Sequence, residues 1–328
     1  IGIWSGISGL AVAAGPVIGG AIVDGISWHW IFWVNVPIGL LGGAIAMWKL
    51  RESFGPDTGL DIPGIFLAGI GVFGIVYGIV RGNDAGWSSP EILGTLVGGV
   101  VFVVAFLWWE SRAAHPMLPL AFFRNRGLNV ANAASVCLYF GLFGAVFFLA
   151  QFLQTVQGDS PLVAGLKVLP WTIMPMFIAP VAGLLSDRVG ARPFMAAGLT
   201  IMAGGFLWMG LTITPGISYA GLVGGFLLAG FGMALVFAPV SNLLVQSVDE
   251  VQIGKASGTN NTVREVGGAL GIAVMTAIFT ATGSYASGQA YVDGLNPAVL
   301  VAAGVLLLGA IISLGAPRPA RAPDTAAP

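Results

Sequence analysis

The chain has 328 residues, of which 56% are hydrophobic and 8% charged, where an ordinary soluble domain carries about 25% charged residues. Its lone cysteine, Cys137, excludes an internal disulfide and any zinc site built from cysteines, and the net charge of −1 points to no nucleic-acid partner. What remains is a polytopic membrane protein, in which the position of each charge matters more than the sum.

Ten apolar runs follow one another, at roughly 2–23, 31–48, 62–80, 92–109, 128–156, 161–185, 193–213, 219–246, 260–282 and 297–315. Their length and all-round hydrophobicity predict helices, because transmembrane strands are ~10 residues long and alternate strictly. The fold class is therefore all-α, a bundle of transmembrane helices. The chain enters its first run directly from Ile1, with no initiator Met or signal peptide, and is expected to be a piece of a longer protein.

The first run holds Gly15-Pro16-Val17-Ile18-Gly19-Gly20 and meets no charge before Asp24. Ala11, Gly15 and Gly19 recur every four residues, a small-residue stripe that lets another helix approach closely where lipid offers no hydrophobic drive for packing. Pro16 removes a backbone donor, and a bend is expected there. Any membrane bundle contains such stripes, and the pattern alone does not select a function. The wider spacing does more. Gly2, Ala11, Gly15-Pro16 and Gly19-Gly20 together resemble the antiporter signature on the fifth helix of major facilitator superfamily exporters, with Ala11 where that family usually has Gly. The next segment, Ser27-Trp28-His29-Trp30-Ile31-Phe32-Trp33-Val34-Asn35-Val36-Pro37-Ile38-Gly39, is similar to the loop and sixth helix of the 14-helix drug:proton antiporter branch, the EmrB/QacA type, with His29 where Arg is usual.

The resemblance implies an organisation. Residues 1–48 would be the last two helices of an N-terminal six-helix bundle whose first four helices are missing. Residues 49–127 would be a linker and two inserted helices, residues 128–315 a complete C-terminal bundle, and residues 316–328 a tail. The basic residues agree with that count of spans. Lys49, Arg51, Arg112, Arg124, Arg126, Arg188, Arg192, Lys255, Arg264, Arg318 and Arg321 fall on one side, which the positive-inside rule makes cytoplasmic together with the C-terminus. Arg81 falls on the other side, and Lys167 sits near the outer end of a span, where it can snorkel. Arg outnumbers Lys ten to three, which suggests a bacterium with a GC-rich genome.

Between runs six and seven lies Gly183-Leu184-Leu185-Ser186-Asp187-Arg188-Val189-Gly190-Ala191-Arg192. It resembles the second copy of the superfamily's cytoplasmic loop motif. Gly190 permits a tight turn, Asp187 can accept from amides at a neighbouring helix N-terminus, and Arg188 and Arg192 can pair with carboxylates or anionic lipid. As a bare pattern it is a charged turn; the resemblance implies an inner gate built from Gly183, Asp187, Arg188, Gly190 and Arg192.

Run five offers the candidate substrate cavity. Asn132, Ser135, Tyr139, Phe143, Phe147, Gln151 and Gln154 are three or four residues apart and share one helical face. Amides and a phenol in hydrocarbon need protein or water beside them, so the face looks inward, either onto a cavity or as interhelical hydrogen-bond glue. Aromatic walls with amides suit amphipathic organic molecules of varied shape. Trp171, beside Met174 and Met176 on run six, is a further cavity candidate, with lipid-facing packing the alternative. Ser241, Asn242 and Gln246 can line an inner vestibule or cap a helix, and Arg264-Glu265, at the start of run nine, read as interfacial anchors.

No Walker Gly-x-x-x-x-Gly-Lys loop is present, and His29 and His115 stand in different loops, so neither nucleotide hydrolysis nor a metal site is expected. An enzyme would need clustered ionisable groups at membrane depth, which the sequence does not offer. The resemblance implies export of drugs or other amphipathic molecules in exchange for protons by alternating access, with small organic substrates, protons and the bilayer as partners and no cofactor. The acidic and basic coupling residues of the family lie on its first and fourth helices, and no buried carboxylate is expected here. A facilitator-fold transporter of another metabolite, or a truncated chain without transport activity of its own, stays open.

Overall fold

The computed structural model describes residues 2–49 and 59–317, and among these it contains helices and turns without strands. Arg51, Arg318 and Arg321, most of the linker and all but the first residues of the tail lie outside the described residues. The helices are α1 (Gly2–Gly25), α2 (Trp30–Trp33), α3 (Asn35–Lys49), α4 (Ile62–Ala85), α5 (Pro90–Glu110), α6 (Arg126–Gln151), α7 (Pro161–Thr172), α8 (Met174–Val189), α9 (Ala191–Thr212), α10 (Tyr219–Gln246), α11 (Ile253–Thr282) and α12 (Gly288–Ser313). Nine helical stretches among the described residues are long and apolar enough to cross a membrane, and Leu10–Gly25 within α1 adds a shorter one.

Local chemistry sets the ends. Asn125 caps α6 by accepting from Leu128 N–H at 3.1 Å, and Ser160 and Ser89 cap α7 and α5 ahead of a proline at the first helical position, where its missing N–H costs nothing. The sixth run breaks at Ile173, between Pro170 and Pro175, so α7 and α8 form one span with a discontinuity inside it. Gly190, at φ 93°, closes α8 and opens α9 in a conformation that side-chain-bearing residues avoid.

The core runs through α6 to α12. Glycines bring the backbones together: a Cβ on Gly198 would stand 2.6 Å from the Gly232 carbonyl oxygen, which draws α9 onto α10, and one on Gly271 would fall onto the Phe140 carbonyl, which draws α11 onto α6. The contact between α9 and α12 completes the bundle. Around it, α1 lies against α7 and α8, and the α4–α5 hairpin leans on α11 through Asn83, whose Nδ2 donates to Thr280 Oγ1 at 2.7 Å. α3 has no buried residue among those described.

The hairpin corrects one expectation. Asp61 and Glu110 are both buried carboxylic acids, 8% and 3% exposed, at the same end of the hairpin. Asp61 Oδ1 accepts from Gly64 N–H at 2.9 Å and Trp109 Nε1–H at 2.7 Å, and Glu110 Oε2 accepts from Leu118 N–H at 3.1 Å. Burial works against the Asp61 charge, but the bonds led by Gly64 and Trp109 outweigh it and leave its pKa below the ordinary aspartate value. In sequence these two acids flank apolar runs; in the structure Trp109 and Gly64 close on Asp61, and Leu118 folds back onto Glu110.

Candidate functional site

The first wall of the site is α1. A Cβ on Gly20 would stand 2.5 Å from the Pro161 carbonyl oxygen, and one on Gly165 would strike the Pro16 carbonyl, so α1 and α7 meet backbone to backbone. Asp24, at the end of α1, accepts from Ser160 Oγ at 2.7 Å and from Leu162 N–H at 2.9 Å, placing a carboxylate on the exposed amides of the α7 N-terminus. Neither Asp24 nor Gly165 stood out in the sequence, since their partners lie more than a hundred residues away. Gly2 opens α1, and Ala11 is exposed. Nothing lies within 4 Å of where a Cβ on Gly15 or Gly19 would stand. Among the described residues α1 therefore meets α7 backbone to backbone at Pro16 and Gly20, and no such close approach is made at Gly15 or Gly19.

Between α1, α6, α7, α10 and α11 lies a cavity of about 460 Å³. Val12 and Pro16 enter from α1; Ser135, Tyr139 and Phe143 from α6; Thr172 from α7; Phe237 and Ser241 from α10; Asn260 and Arg264 from α11. Its polar floor is a three-residue cluster in which Asn260 Nδ2 donates to Asn132 Oδ1 at 2.9 Å and to Ser135 Oγ at 3.0 Å. Tyr139 is held between two neighbours. Phe237 stacks on it with centroids 6.1 Å apart, and the Arg264 guanidinium lies 4.2 Å from its ring centroid.

The α6 face splits. Tyr139 and Phe143 line the cavity, and Asn132 stands behind it as the partner of Asn260. Phe147 is 41% exposed and packs edge-on against Phe148, Gln151 accepts from the Tyr285 hydroxyl at 3.1 Å, and Gln154 is exposed. For Gln154 the reason is local: residues Phe152–Val156 form a π-helical turn, whose wider winding takes it off the face that 100° steps predict. Trp171 is also outside the cavity. It is fully buried in the core, edge-on to Phe206 and stacked with Phe226, at the point where Gly230 lets α10 come against α7.

Arg264 is the residue that sequence reading misplaced. The apolar run begins only at 260, which sets Arg264 near the start of a span and among the cytoplasmic basic residues. In the structure α11 begins at Ile253, so Arg264 stands in its twelfth position, against the cavity. The run tolerates its polar residues because Asn260 faces the α6 cluster and Thr259 bonds back to the Lys255 carbonyl at 2.9 Å.

At the other end of α8 the loop motif is tied down by α10. Asn242 Nδ2 donates to Asp187 Oδ1 at 2.8 Å, to Ser186 Oγ at 3.1 Å and to the Gly183 carbonyl at 3.2 Å. Asp187 thus meets a side-chain amide rather than a helix N-terminus. Arg188 is exposed and Arg192 half-buried, on either side of the Gly190 turn. Asn242 is neither a vestibule lining nor a cap.

Comparison with known proteins agrees with this architecture. The pattern of the Major Facilitator Superfamily matches residues 50–272 and 131–328. The chain is 34% identical over 279 residues to the tetracenomycin C resistance and export protein of Streptomyces glaucescens, covering 84% of this chain and 51% of that protein. It is 32% identical over 282 residues to the multidrug resistance protein Stp of Mycobacterium tuberculosis, covering 86% and 52% of the two chains. To the multidrug transporter protein MdtP of Bacillus subtilis it is 32% identical over 301 residues, covering 90% and 54%. The chain spans about half the length of the curated relatives it matches. With its apolar helices, the cavity between them and a family pattern that covers most of its length, this chain belongs to the major facilitator superfamily.

Proposed function

We propose that the intact protein is a secondary active exporter of drugs or other amphipathic small molecules, driven by proton exchange through alternating access. The observation that carries this reading is the cavity of about 460 Å³ between α6, α10 and α11, whose walls pair aromatic faces with a few polar groups. Aromatic walls supply contact area to many shapes, and Asn260, Ser135 and Ser241 orient a ligand through hydrogen bonds. The relatives named for resistance and multidrug export support the substrate class.

In this reading residues 1–48 complete one bundle, residues 49–127 carry the linker and the inserted pair, and residues 128–315 form the other bundle, with the C-terminal tail 316–328 in the cytoplasm. The Ala11/Gly15/Gly19 stripe meets a further helix of the intact protein, and Gly2 belongs to the same packing signature. Asp187, Arg188, Gly190 and Arg192, anchored on Gly183 and Asn242, form the inner gate. Proton coupling resides in the segments through which the relatives exceed this chain.

The test is export of chemically distinct dyes by the intact transporter carrying Tyr139→Ala or Phe143→Ala, normalised to membrane-inserted protein. Unequal changes across the panel are expected; a uniform loss that tracks protein amount would assign the face to helix packing. In proteoliposomes, collapsing the pH gradient should stop export, and export that continues would remove proton exchange from the reading.

A further inference from the structure

The charge inside the cavity narrows the substrate class. Arg264 is the single charged residue among the described residues that line it, and no Asp or Glu is among them. Arginine at membrane depth is costly unless it is paired or wet, and it is normally matched by a carboxylate. Here the guanidinium lies over the ring of Tyr139, 4.2 Å from its centroid.

A guanidinium over a ring face is held by the ring's quadrupole, an attraction that does not consume its N–H donors. Arg264 Nε is buried with no acceptor beside it. The neighbouring Asn260 spends both amide hydrogens on Asn132 and Ser135. Tyr139 is itself stacked with Phe237, ring centroids 6.1 Å apart, so the ring that carries the guanidinium is packed on a neighbouring helix.

We propose that Arg264 is the group that selects substrate in this cavity, and that the favoured ligands carry an acidic oxygen, a phenolate, enolate or carboxylate, on an aromatic ring system. The oxygen takes the in-plane donors of Arg264, and the ring system lies against Phe143 and Phe237. A permanent cation gains the same aromatic contact and is repelled by the guanidinium, which makes discrimination an electrostatic difference rather than a matter of size. This inference rests on the export reading and goes one step further, to the sign of the charge.

The experiment uses the intact transporter, purified in detergent, and two fluorescent probes with the same fused xanthene ring: fluorescein, anionic at neutral pH, and a rhodamine ester, a permanent cation. Equilibrium binding is measured for the unmodified protein, Arg264→Gln and Arg264→Lys. Loss of a charged hydrogen bond corresponds to roughly a ten- to hundredfold weakening. Arg264→Gln should weaken fluorescein by that factor while leaving rhodamine equal or tighter, and Arg264→Lys should restore part of the fluorescein affinity by restoring the charge without the fork. Equal weakening of both probes would make Arg264 a packing residue and overturn the inference, as would unchanged fluorescein binding in Arg264→Gln. Should Arg264→Gln fail to fold, the Lys variant and Tyr139→Phe, which keeps the ring, still measure the ratio of the two affinities. If the unmodified protein binds both probes and prefers the cation, the charge assignment alone falls; if it binds and exports neither, the export reading falls with it.

Discussion

The two ends of α6 carry similar side chains at the same spacing and meet different surroundings. From Asn132 to Phe143 the face meets α11, and Asn260 and Arg264 turn it into a polar cluster and a cavity wall. From Phe147 to Gln154 the same face has no such neighbour among the described residues: it passes into the π turn, an exposed phenylalanine and one bond to Tyr285. Helical periodicity decides which residues share a face. What that face does is decided by residues more than a hundred positions away, and the glycines that let α11 come that close are as much a part of the site as the side chains.

The largest way to break this comparison is to push α11 off α6. Gly271→Leu would drive a side chain onto the Phe140 carbonyl, a backbone atom that cannot yield, and should lower stability by about 3 kcal/mol or more, seen as loss of monodisperse protein after detergent extraction. The same substitution at Gly15, where nothing lies within 4 Å, should leave stability almost unchanged while export falls in the intact transporter. A Gly15→Leu protein that exports normally would remove the stripe from the packing signature.

Next in size is Asn260→Leu. It removes two bonds between α11 and α6, each about 0.6 kcal/mol in membrane bundles, so roughly 1 kcal/mol of thermal stability should be lost. A larger effect on the cavity is expected than on the fold, because the polar floor vanishes with the amide. Asn242→Ala should cost about the same or less in stability. Its signature is different: freeing Asp187 should slow export of every substrate alike and raise labelling of cysteines at the cytoplasmic mouth, and a change confined to one substrate would argue against a gate. The smallest effect belongs to the outer end of α6. Tyr285→Phe removes one exposed bond to Gln151 and should shift stability by about 0.5 kcal/mol or less, with dye preference unaltered.

The spans themselves are legible from hydropathy, the pair α4 and α5 included, while the break at Ile173 falls inside a run that reads as continuous over 161–185. The facing of the first half of α6 is legible too, since polar residues at membrane depth have few places to go. Three things are not. Asn132 and Ser135 name no partner in the sequence, because Asn260 lies 128 and 125 positions away from them. Arg264 reads as interfacial because the apolar run begins at 260, whereas α11 begins at Ile253. Trp171 shows the converse limit: an aromatic residue following a proline in an apolar span looks alike whether it lines a cavity or fills the core, and only Phe206, Phe226 and Gly230, from distant helices, separate the two. The tie between Asp187 and Asn242 spans 55 residues and carries no local signal.

The most direct measurement is substrate protection along α6. In the intact transporter with Cys137 replaced by Ala, single cysteines are placed at Ser135, Tyr139, Phe143, Phe147, Gln151 and Gln154, and each is reacted with a water-soluble thiol reagent with and without a transported dye. Protection by the dye is expected at Ser135, Tyr139 and Phe143 and absent at Phe147, Gln151 and Gln154. Protection along the whole face, or at the outer three positions alone, would contradict a cavity built where α6 meets α11.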